Sequence, residues 1–249
     1  MMQRPANLRS RLAGLVRTTT PRTVVRAICL LAQFFDRNAA KSYSQEGEDR
    51  VLMRIFDERR KGFFVDIGAH HPRRFSNTWL LYERGWNGIN VEPNPAAIDL
   101  FRRERPRDIN LQVGISDEPG TLTYIEFDDP ALNTFDAELA AQRERTTRYR
   151  VVNRIGVPVR TLCDLLGTHL PAGQHIDFLT VDVEGYDLKV VQSNDWTKFR
   201  PAYVLVESLD SSLTSVGDIP INRFLVGQGY ILFAKTVNTL FYREEAHKP

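Results

Sequence analysis

The chain has 249 residues, of which 42% are hydrophobic, so it is long enough to form one large globular domain with a buried core. A formal net charge of +2 gives no indication of a nucleic-acid partner. The two cysteines, Cys29 and Cys163, lie far apart in the sequence. This spacing argues against a disulfide framework and a structural zinc site, and it predicts a reducing, cytoplasmic location.

Residues 1–40 differ from the rest of the chain in their charge, because they contain seven arginines and one acid, Asp36. Within them, "PRTVVRAICLLAQFF" has apolar residues at helical spacing and Arg22 and Arg26 on the opposite side, which predicts a basic amphipathic helix. The apolar run is too short to span a bilayer. Packing on the domain or in an oligomer, a peripheral membrane contact and targeting are the three interpretations. We treat 1–40 as an appendage to a domain of residues 41–249.

From residue 41 onward, predicted strands and helices alternate. Amphipathic stretches separate strand-like runs that are rich in β-branched and large apolar residues. This order predicts an α/β fold with a mostly parallel sheet and helices on both of its faces. The predicted strands are 62–67, 88–92, 109–115, 176–182 and 202–207, and the predicted helices lie at about 75–84, 95–104, 187–195 and 219–228.

Two segments depart from this alternation. The C-terminal "GYILFAKTVNTLFYRE" has two strand-like runs around Val237 and Asn238, which predicts an antiparallel hairpin. The long connection 116–175 contains "TLTYIEF", an additional predicted strand, followed by a polar stretch rich in arginine. Its cationic side chains could bind a phosphate or carboxylate of a substrate, or form a solvated helix face. Its aromatic side chains could stack on a sugar ring or pack in a core. These residues are Arg143, Arg145, Arg148 and Arg150, with Tyr124, Phe127, Phe135 and Tyr149.

The residues that follow the first two strands are candidates for binding a nucleoside, because ligands of such folds bind at the carboxyl ends of strands. Asp66, Gly68 and His70 lie in "FFVDIGAHHP", and Glu92 follows 26 positions after Asp66, near the spacing of an acid that binds ribose hydroxyls. One glycine in the turn argues against a pyrophosphate cofactor such as NAD, and less against S-adenosylmethionine. Glu92 could instead accept a bond at the start of the next helix.

The adjacent histidines His70 and His71 raise the question of a zinc site. The other histidines offer no third ligand at a suitable spacing, so we predict no metal site here. His70 remains a candidate general base, because an ordinary imidazole is neutral near pH 7.

A second group of candidate residues lies in "VDVEGYD", where Asp182 and Glu184 point to the same side if the strand continues. Asp187 and Glu207 add two more acids. The group could supply a general base, hold a divalent cation such as Mg²⁺, or cap the following helix. A divalent cation is an alternative that we do not predict.

Six blocks carry a resemblance to a known family. In chain order, "SYSQEGED", "FFVDIGAHHP", "SNTWLLYERGWNGINVEPNP", "GISDEPG", "IDFLTVDVEGYDLKVVQSNDW" and "RPAYVLVE" closely resemble the FkbM-type methyltransferases, a branch of the class I S-adenosylmethionine-dependent enzymes. The resemblance covers about residues 41–243. It implies a doubly wound, Rossmann-like sheet of seven strands whose last strand is antiparallel. It also implies methyl transfer from S-adenosylmethionine to a hydroxyl of a saccharide, glycoconjugate or natural product.

The resemblance also implies roles for single residues. The class I pattern prefers glycine where Ala69 and His70 stand. Independently of the resemblance, the need for a base near the acceptor hydroxyl makes Glu184 and His70 the candidate catalytic residues. Gln45 could close over the cofactor, although Ser42 and Ser44 of the same block equally fit a helix N-cap. The implied cofactor-binding residues are Asp66, Gly68 and Ala69 in the first motif, Glu92 at the ribose, Ser116 and Asp117 at the adenine, and Asp182 beside the reaction centre, with Gln45 and His70.

Two other classes of function remain as alternatives. The chain could be a non-catalytic interaction module that keeps the methyltransferase fold, with the basic N-terminal helix as its working part, because a fold alone does not establish activity. An NAD-linked oxidoreductase is the other alternative, and the glycine-poor turn weakens it.

Overall fold

A computed structural model describes Val24 and residues 39–56, 61–209 and 212–246. The chain divides into two compact units, Met1–Lys41 and Ser42–Pro249. The amphipathic helix predicted in residues 1–40 lies, apart from Val24, outside the described residues. The elements named below belong to the second unit. Within the described ranges, no helix is long and apolar enough to cross a membrane.

The strands of the second unit form two sheets. Their bounds are β1 (Phe63–Ile67), β2 (Asn87–Val91), β3 (Ile109–Leu111), β4 (Gly114–Ile115), β5 (Gly120–Phe127), β6 (Val151–Arg160), β7 (Phe178–Val181), β8 (Tyr203–Glu207), β9 (Tyr230–Lys235) and β10 (Thr239–Glu244). The larger sheet has seven strands in the order β3-β2-β1-β7-β8-β10-β9, and β10 runs antiparallel to both of its neighbours. The predicted doubly wound, mostly parallel sheet of seven strands and its C-terminal antiparallel hairpin are confirmed.

Helices cover both faces of the larger sheet. Successive side chains along its strands point to opposite faces, so they belong to two separate cores. Phe63, Val65 and Ile67 of β1 belong to one core, and Phe64 belongs to the other. Of the helices listed below, α5, α6 and α7 contribute to the first core, and α1 and α2 contribute to the second. The helices are α1 (Glu48–Ile55), α2 (Trp79–Glu83), α3 (Pro95–Glu104), α4 (Ala137–Thr146), α5 (Leu162–His169), α6 (Asp187–Gln192) and α7 (Pro220–Gly227).

The smaller sheet has the order β4-β6-β5 and lies in the long connection between β3 and β7. The strand predicted in "TLTYIEF" is confirmed as β5. The prediction of one strand over 109–115 is wrong, because the chain leaves the large sheet after β3 and joins the small sheet at β4. β6 was not predicted. Most of its residues are exposed or half-buried, and it contains Pro158, which disfavours a central strand, so its apolar pattern is weak.

The order of the strands reverses between β1 and β7, and the backbones there are in close contact. Gly68 follows β1 with a φ of 82°, and a Cβ atom added to it would lie 1.8 Å from the carbonyl oxygen of Asp182. The backbone N–H of Gly68 donates to Val91 at the end of β2 (3.0 Å), and that of Asp182 donates to Ile67 (3.0 Å). The carboxyl ends of three adjacent strands are therefore joined at Gly68, which requires a residue without a side chain.

Replacing Gly68 by alanine tests this close packing. We expect Gly68→Ala to lower the free energy of unfolding by about 3 kcal/mol or more, because overpacking and a left-handed alanine each add a cost. Gly173→Ala is the matched control, since Gly173 also has a positive φ (73°) but no atom lies within 4 Å of an added Cβ. Gly173→Ala should lower the free energy of unfolding by only about 1–2 kcal/mol. Equal losses in urea denaturation would show that the contact with Asp182 is unimportant.

Candidate functional site

A pocket opens at the carboxyl ends of β1, β2 and β7, where the strand order reverses and where such sheets bind ligands. It encloses about 610 Å³ of empty space and is open to solvent. We call it the switch-point pocket. Its walls are formed by Gln45, Gly68, His70, Phe75, Glu92, Pro93, Tyr124, Pro130, Ala131, Asn133, Thr134, Phe135, Asp182, Val183 and Glu184.

Backbone strain is concentrated in this pocket. Among the described residues, the non-glycine residues with positive φ are His70 (53°), Phe75 (56°) and Glu184 (53°), and all three line the pocket. A side chain in this left-handed region costs about 1–2 kcal/mol, and such residues cluster at functional sites. The preference of the class I pattern for glycine at the position of His70 has the same physical origin, because glycine adopts this conformation without strain.

Glu92 lies in the pocket wall directly after β2 and is 4% exposed. One carboxylate oxygen accepts the backbone N–H of His70 (2.8 Å), and the other accepts that of Asn94 (2.8 Å). Burial raises the pKa of Glu92 to about 7, although these two N–H donors oppose the shift. The oxygen bonded to Asn94 also accepts the hydroxyl of Tyr124 (3.5 Å), and the other oxygen keeps a further lone pair for a ligand hydroxyl. Asn94 is the N-cap of α3, so Glu92 does accept a bond at the start of the next helix. It also lines the pocket, so the two predicted roles are compatible.

His70 contributes a neutral imidazole to the same wall. Burial lowers the pKa of His70 to about 4, and the positive charge of Arg74 adds to this effect. The Nε2 atom is buried and has no hydrogen-bond partner in the protein. The imidazole ring lies 6.1 Å from the ring of Phe75. His70 lines the pocket, so its imidazole has a hydrogen-bonding position next to the pocket that the protein does not use.

The acids predicted to form a group are brought together. One carboxylate oxygen from each of Asp182, Glu184 and Glu207 lies within 4.8 Å of the others. Solvent reaches Asp182 through the pocket, but the surrounding protein still raises its pKa well above the ordinary range, and repulsion by Glu207 raises it further. Burial and then repulsion by Glu184 raise the pKa of Glu207. We call these three residues the acid cluster. Such oxygen donors suit Mg²⁺, and shared protons relieve the same repulsion.

Glu184 is held in place from two sides by the segment between β5 and β6. Its side chain forms an ion pair with Arg143 of α4, and its carbonyl oxygen accepts the hydroxyl of Thr134 (2.6 Å). Burial raises the pKa of Glu184, and the guanidinium of Arg143 opposes the shift. Arg143 also donates to the carbonyl of Leu132 (2.9 Å). Of the predicted arginine run, Arg143 therefore positions an acid of the pocket.

Other members of the predicted groups have contacts within the fold. Arg150 donates to the carbonyls of Thr147 (3.0 Å) and Tyr149 (2.8 Å), whereas Arg145 and Arg148 are exposed. The carboxylate of Asp187 accepts the N–H groups of Val183 and Gly185, both at 3.2 Å, so it fixes the turn before α6. The N-cap of α6 is Tyr186 and has no side-chain cap bond, so the prediction that Glu184 and Gly185 cap this helix is wrong.

The structure places Asp66 and Ala69 behind the pocket. Asp66 accepts the hydroxyl of Thr78 (2.9 Å), and burial raises its pKa to about 6 against the opposing charge of Arg105. Asp66 lies on the same side of β1 as Phe64, because side chains alternate along a strand. Ala69 is buried against Ile98 of α3, and its backbone N–H donates to β2 (3.1 Å). Both residues support the turn from outside the pocket wall.

Ser116 and Asp117 also lie outside the switch-point pocket. Ser116 is buried and donates its hydroxyl to Asp117 (2.8 Å), which lowers the pKa of the exposed Asp117. Their predicted role at the adenine stays a prediction.

Gln45 lines the pocket, as the block "SYSQEGED" predicts for a residue that closes over a ligand. The N-cap of α1 is Gly47, so neither serine occupies that position, although the hydroxyl of Ser44 accepts the backbone N–H of Asp49 in the first turn (3.2 Å). Ser42 and Ser44 donate to the buried carboxylate of Asp49 (2.7 and 3.0 Å). These bonds fix the loop that carries Gln45.

Several pocket residues were not identified from the sequence. Phe75, Asn133 and Thr134 carry no motif, and two of them come from the long connection that crosses over the pocket. The aromatic residues Tyr124 and Phe135 of that connection do line the pocket, with ring centroids 5.0 Å apart. Their apolar character and their place in a long insertion were the only signals available.

The raised pKa of Glu92 predicts a pH dependence of stability. Between about pH 4.5 and 7, the folded chain keeps a proton on Glu92 that the unfolded chain releases, so the free energy of unfolding falls as pH rises. For Glu92→Gln we expect the fall between pH 5 and 7 to be shallower, by up to about 1.4 kcal/mol per pH unit. Urea denaturation at several pH values measures the slope. Asp99→Asn, at an exposed position of α3, should keep the wild-type slope, and an unchanged slope in Glu92→Gln would contradict the assignment.

Comparisons with known proteins give the family of the chain. No curated protein matches it significantly. Similar solved structures include the methyltransferase FkbM from Methylobacillus flagellatus KT (12% identity, TM-score 0.49, 81% of this chain and 48% of that chain). This chain therefore spans about half the length of that protein. Another is cofactor-bound Rv0187 from MTB (14% identity, TM-score 0.34, 99% of this chain and 100% of that chain). A third is the O-methyltransferase from Bacillus cereus in complex with SAH (11% identity, TM-score 0.32, 93% of this chain and 94% of that chain). These TM-scores are too low for a conclusion about this chain to be drawn from the structural similarities.

The match to a family model is more specific. The model of the methyltransferase FkbM domain matches residues 66–232, which include β1 from Asp66 onward, the acid cluster and the first half of β9. The resemblance that the six sequence blocks predict is thereby confirmed. Because the match covers more than half of the chain, this chain belongs to the methyltransferase FkbM domain family.

Proposed function

We propose that this chain binds S-adenosylmethionine in the switch-point pocket and transfers its methyl group to a hydroxyl of a saccharide, glycoconjugate or natural product. The observation that carries the proposal is the coincidence of Glu92 and three strained residues, His70, Phe75 and Glu184, in one pocket where the strand order reverses. Membership of a methyltransferase family supports the same reaction class.

The pocket offers complementary groups for an adenosyl ligand. Glu92 presents carboxylate oxygens to the ribose hydroxyls, and the rings of Tyr124 and Phe135 supply an apolar wall for a base or sugar. The unpaired Nε2 of His70 can contact the ligand. On this basis the residues present fit the cofactor, and Gly68 allows the ligand to approach the backbone of the turn.

The chemistry divides between ligand and protein. When bound, S-adenosylmethionine supplies an electrophilic methyl group on a sulfonium. The acceptor oxygen forms a bond to this methyl carbon while the carbon–sulfur bond breaks, and the sulfur keeps the electron pair. The protein must hold the acceptor hydroxyl in line and take up its proton.

We assign the proton-accepting role to Glu184 and a ligand-binding role to His70. A general base works best when its pKa is near the working pH. Burial moves the pKa of Glu184 upward, toward neutrality, whereas it lowers that of His70 to about 4, which makes the imidazole a weak base. Arg143 holds Glu184 at the pocket wall, and Asp182 borders the same space. A divalent cation in the acid cluster is the alternative way to activate the hydroxyl, and it is not part of this proposal.

Two features of the proposal rest on the sequence alone. We propose a cytoplasmic location from the cysteine usage. We also propose that residues 1–40 contact another surface, either an anionic membrane or a protein. Flotation of the whole chain with anionic liposomes, against a variant without residues 1–40, separates these two partners.

Cofactor binding is the primary test. We expect the purified chain to bind S-adenosylmethionine and S-adenosylhomocysteine saturably in calorimetric titrations. Glu92→Ala should weaken binding by about 1–3 kcal/mol, or roughly 5- to 150-fold, because ribose hydroxyls lose their partner. Asp99→Ala should bind like the wild type. Absence of binding at millimolar ligand would exclude the function and favour the non-catalytic interaction module.

The proton-accepting role has a separate test. With an acceptor found by screening host glycans with a labelled methyl donor, Glu184→Gln should lower the methyl-transfer rate by about 10² to 10⁴. Its affinity for S-adenosylhomocysteine should stay within about threefold of wild type. His70→Ala should mainly weaken the binding of the cofactor. A rate loss in His70→Ala that exceeds the loss in Glu184→Gln, at equal cofactor affinity, would reverse the two roles.

A further inference from the structure

A second depression lies on the other side of the acid cluster from the switch-point pocket. It encloses about 1070 Å³ of space open to solvent, between α4, the turn before α6, the residues after β8 and the start of α7. We call it the acidic groove. Glu207 lines this groove and also a small recess that it shares with Asp182 and Gln45, and both of these line the switch-point pocket. Carboxylate oxygens of Glu207 and Asp182, which line the two spaces, therefore lie within 4.8 Å of each other.

The ionisable side chains that line the groove are all acids. Its lining contains Asp136, Glu138, Asp187 and Glu207, and no lysine or arginine among the described residues. Glu138 is exposed in the first turn of α4. One oxygen of Asp136 caps α4, and its other oxygen faces Gly185, 3.3 Å from where a Cβ would be. An anionic ligand would be repelled here, while neutral hydroxyl or cationic groups would find hydrogen-bond acceptors.

The rest of the lining is aliphatic. It includes Leu139, Leu188, Leu209, Ile219 and Ile221, and Leu209 is 45% exposed. The exposed arginines Arg145 and Arg148 do not line the groove, and Arg148 borders a separate depression with Arg74. The cationic residues that the sequence offers for a phosphate or carboxylate on the acceptor therefore lie elsewhere.

We propose that the acidic groove binds the methyl acceptor, and that the acceptor is an uncharged glycoside with an apolar aglycone. This inference rests on the proposed function, because it takes the switch-point pocket as the cofactor site. The glycoside hydroxyls meet the acids next to Asp182 and Glu184, and the aglycone lies on the aliphatic wall. Acceptors that carry a phosphate or carboxylate on the sugar are disfavoured, because the described lining of the groove has acids and no lysine or arginine to pair with them.

A matched pair of ligands tests the proposal. Octyl β-glucoside and octyl β-glucuronide share the apolar chain and differ by a carboxylate on the sugar. Calorimetric titration below the micelle concentration, with saturating S-adenosylhomocysteine, should show binding of the glucoside and at least tenfold weaker binding of the glucuronide. Glu138→Lys should narrow this difference by strengthening glucuronide binding. Glu83→Lys, at an exposed position at the end of α2, should leave it unchanged.

The outcomes separate the two proposals. If S-adenosylhomocysteine fails to bind, the proposed function fails, and the titrations without it still test the groove. If neither glycoside binds, or if the glucuronide binds as tightly as the glucoside, the acceptor proposal is overturned whatever the cofactor does. An equal effect of Glu83→Lys and Glu138→Lys would also overturn it, because the discrimination would then reflect overall charge and not the groove.

Discussion

The contact between Gly68 and the backbone of Asp182 is the constraint on which the candidate site depends. It brings the ends of β1 and β7 together where the strand order reverses, and it leaves no room for a side chain. Because the turn after β1 is pressed against β7, the next residue of the turn is directed toward β2 by its hydrogen bond to Val91. The N–H of His70 then reaches Glu92. One close approach thus fixes the relative positions of the turn, the acid after β2 and the acid cluster.

Burying carboxyl groups at the carboxyl ends of the strands costs free energy. The protein offsets this cost to a different degree for each acid. Burial raises the pKa of Glu92, Asp182, Glu184 and Glu207, so these groups hold protons more readily than acids in water. Backbone N–H groups oppose the shift at Glu92, and a guanidinium opposes it at Glu184. In the acid cluster, mutual repulsion adds to burial, and a single arginine is paired with one of the three acids. Carboxyl groups with strongly raised pKa values in one pocket are a feature of functional sites.

Most of the large sheet could be predicted from the sequence, because strands buried on both faces are nearly continuous apolar runs. The order of the two acid-bearing turns, at Asp66 and Asp182, follows from the same pattern. The direction of a side chain does not. Asp66 shares a face of β1 with Phe64 and so points to Thr78 and Arg105, whereas Glu92, after its strand has ended, lines the pocket. Thr134 and Arg143 could not be placed, because their contact with Glu184 spans 50 and 41 residues of sequence.

The three left-handed side chains show why the site departs from the glycine-rich pattern of its class. Glycine at the position of His70 would remove the strain, but it would also remove an imidazole from the pocket wall. Glycine in place of Glu184 would likewise remove the carboxylate that Arg143 holds. Strained residues persist where the surrounding contacts over-determine them. Here a hydrogen bond to Glu92 fixes the backbone of His70, and the hydroxyl of Thr134 fixes that of Glu184. The same contacts that impose the strain therefore aim both side chains into the pocket, so the cost in stability is a consequence of placing chemical groups on turns where glycine would be more stable.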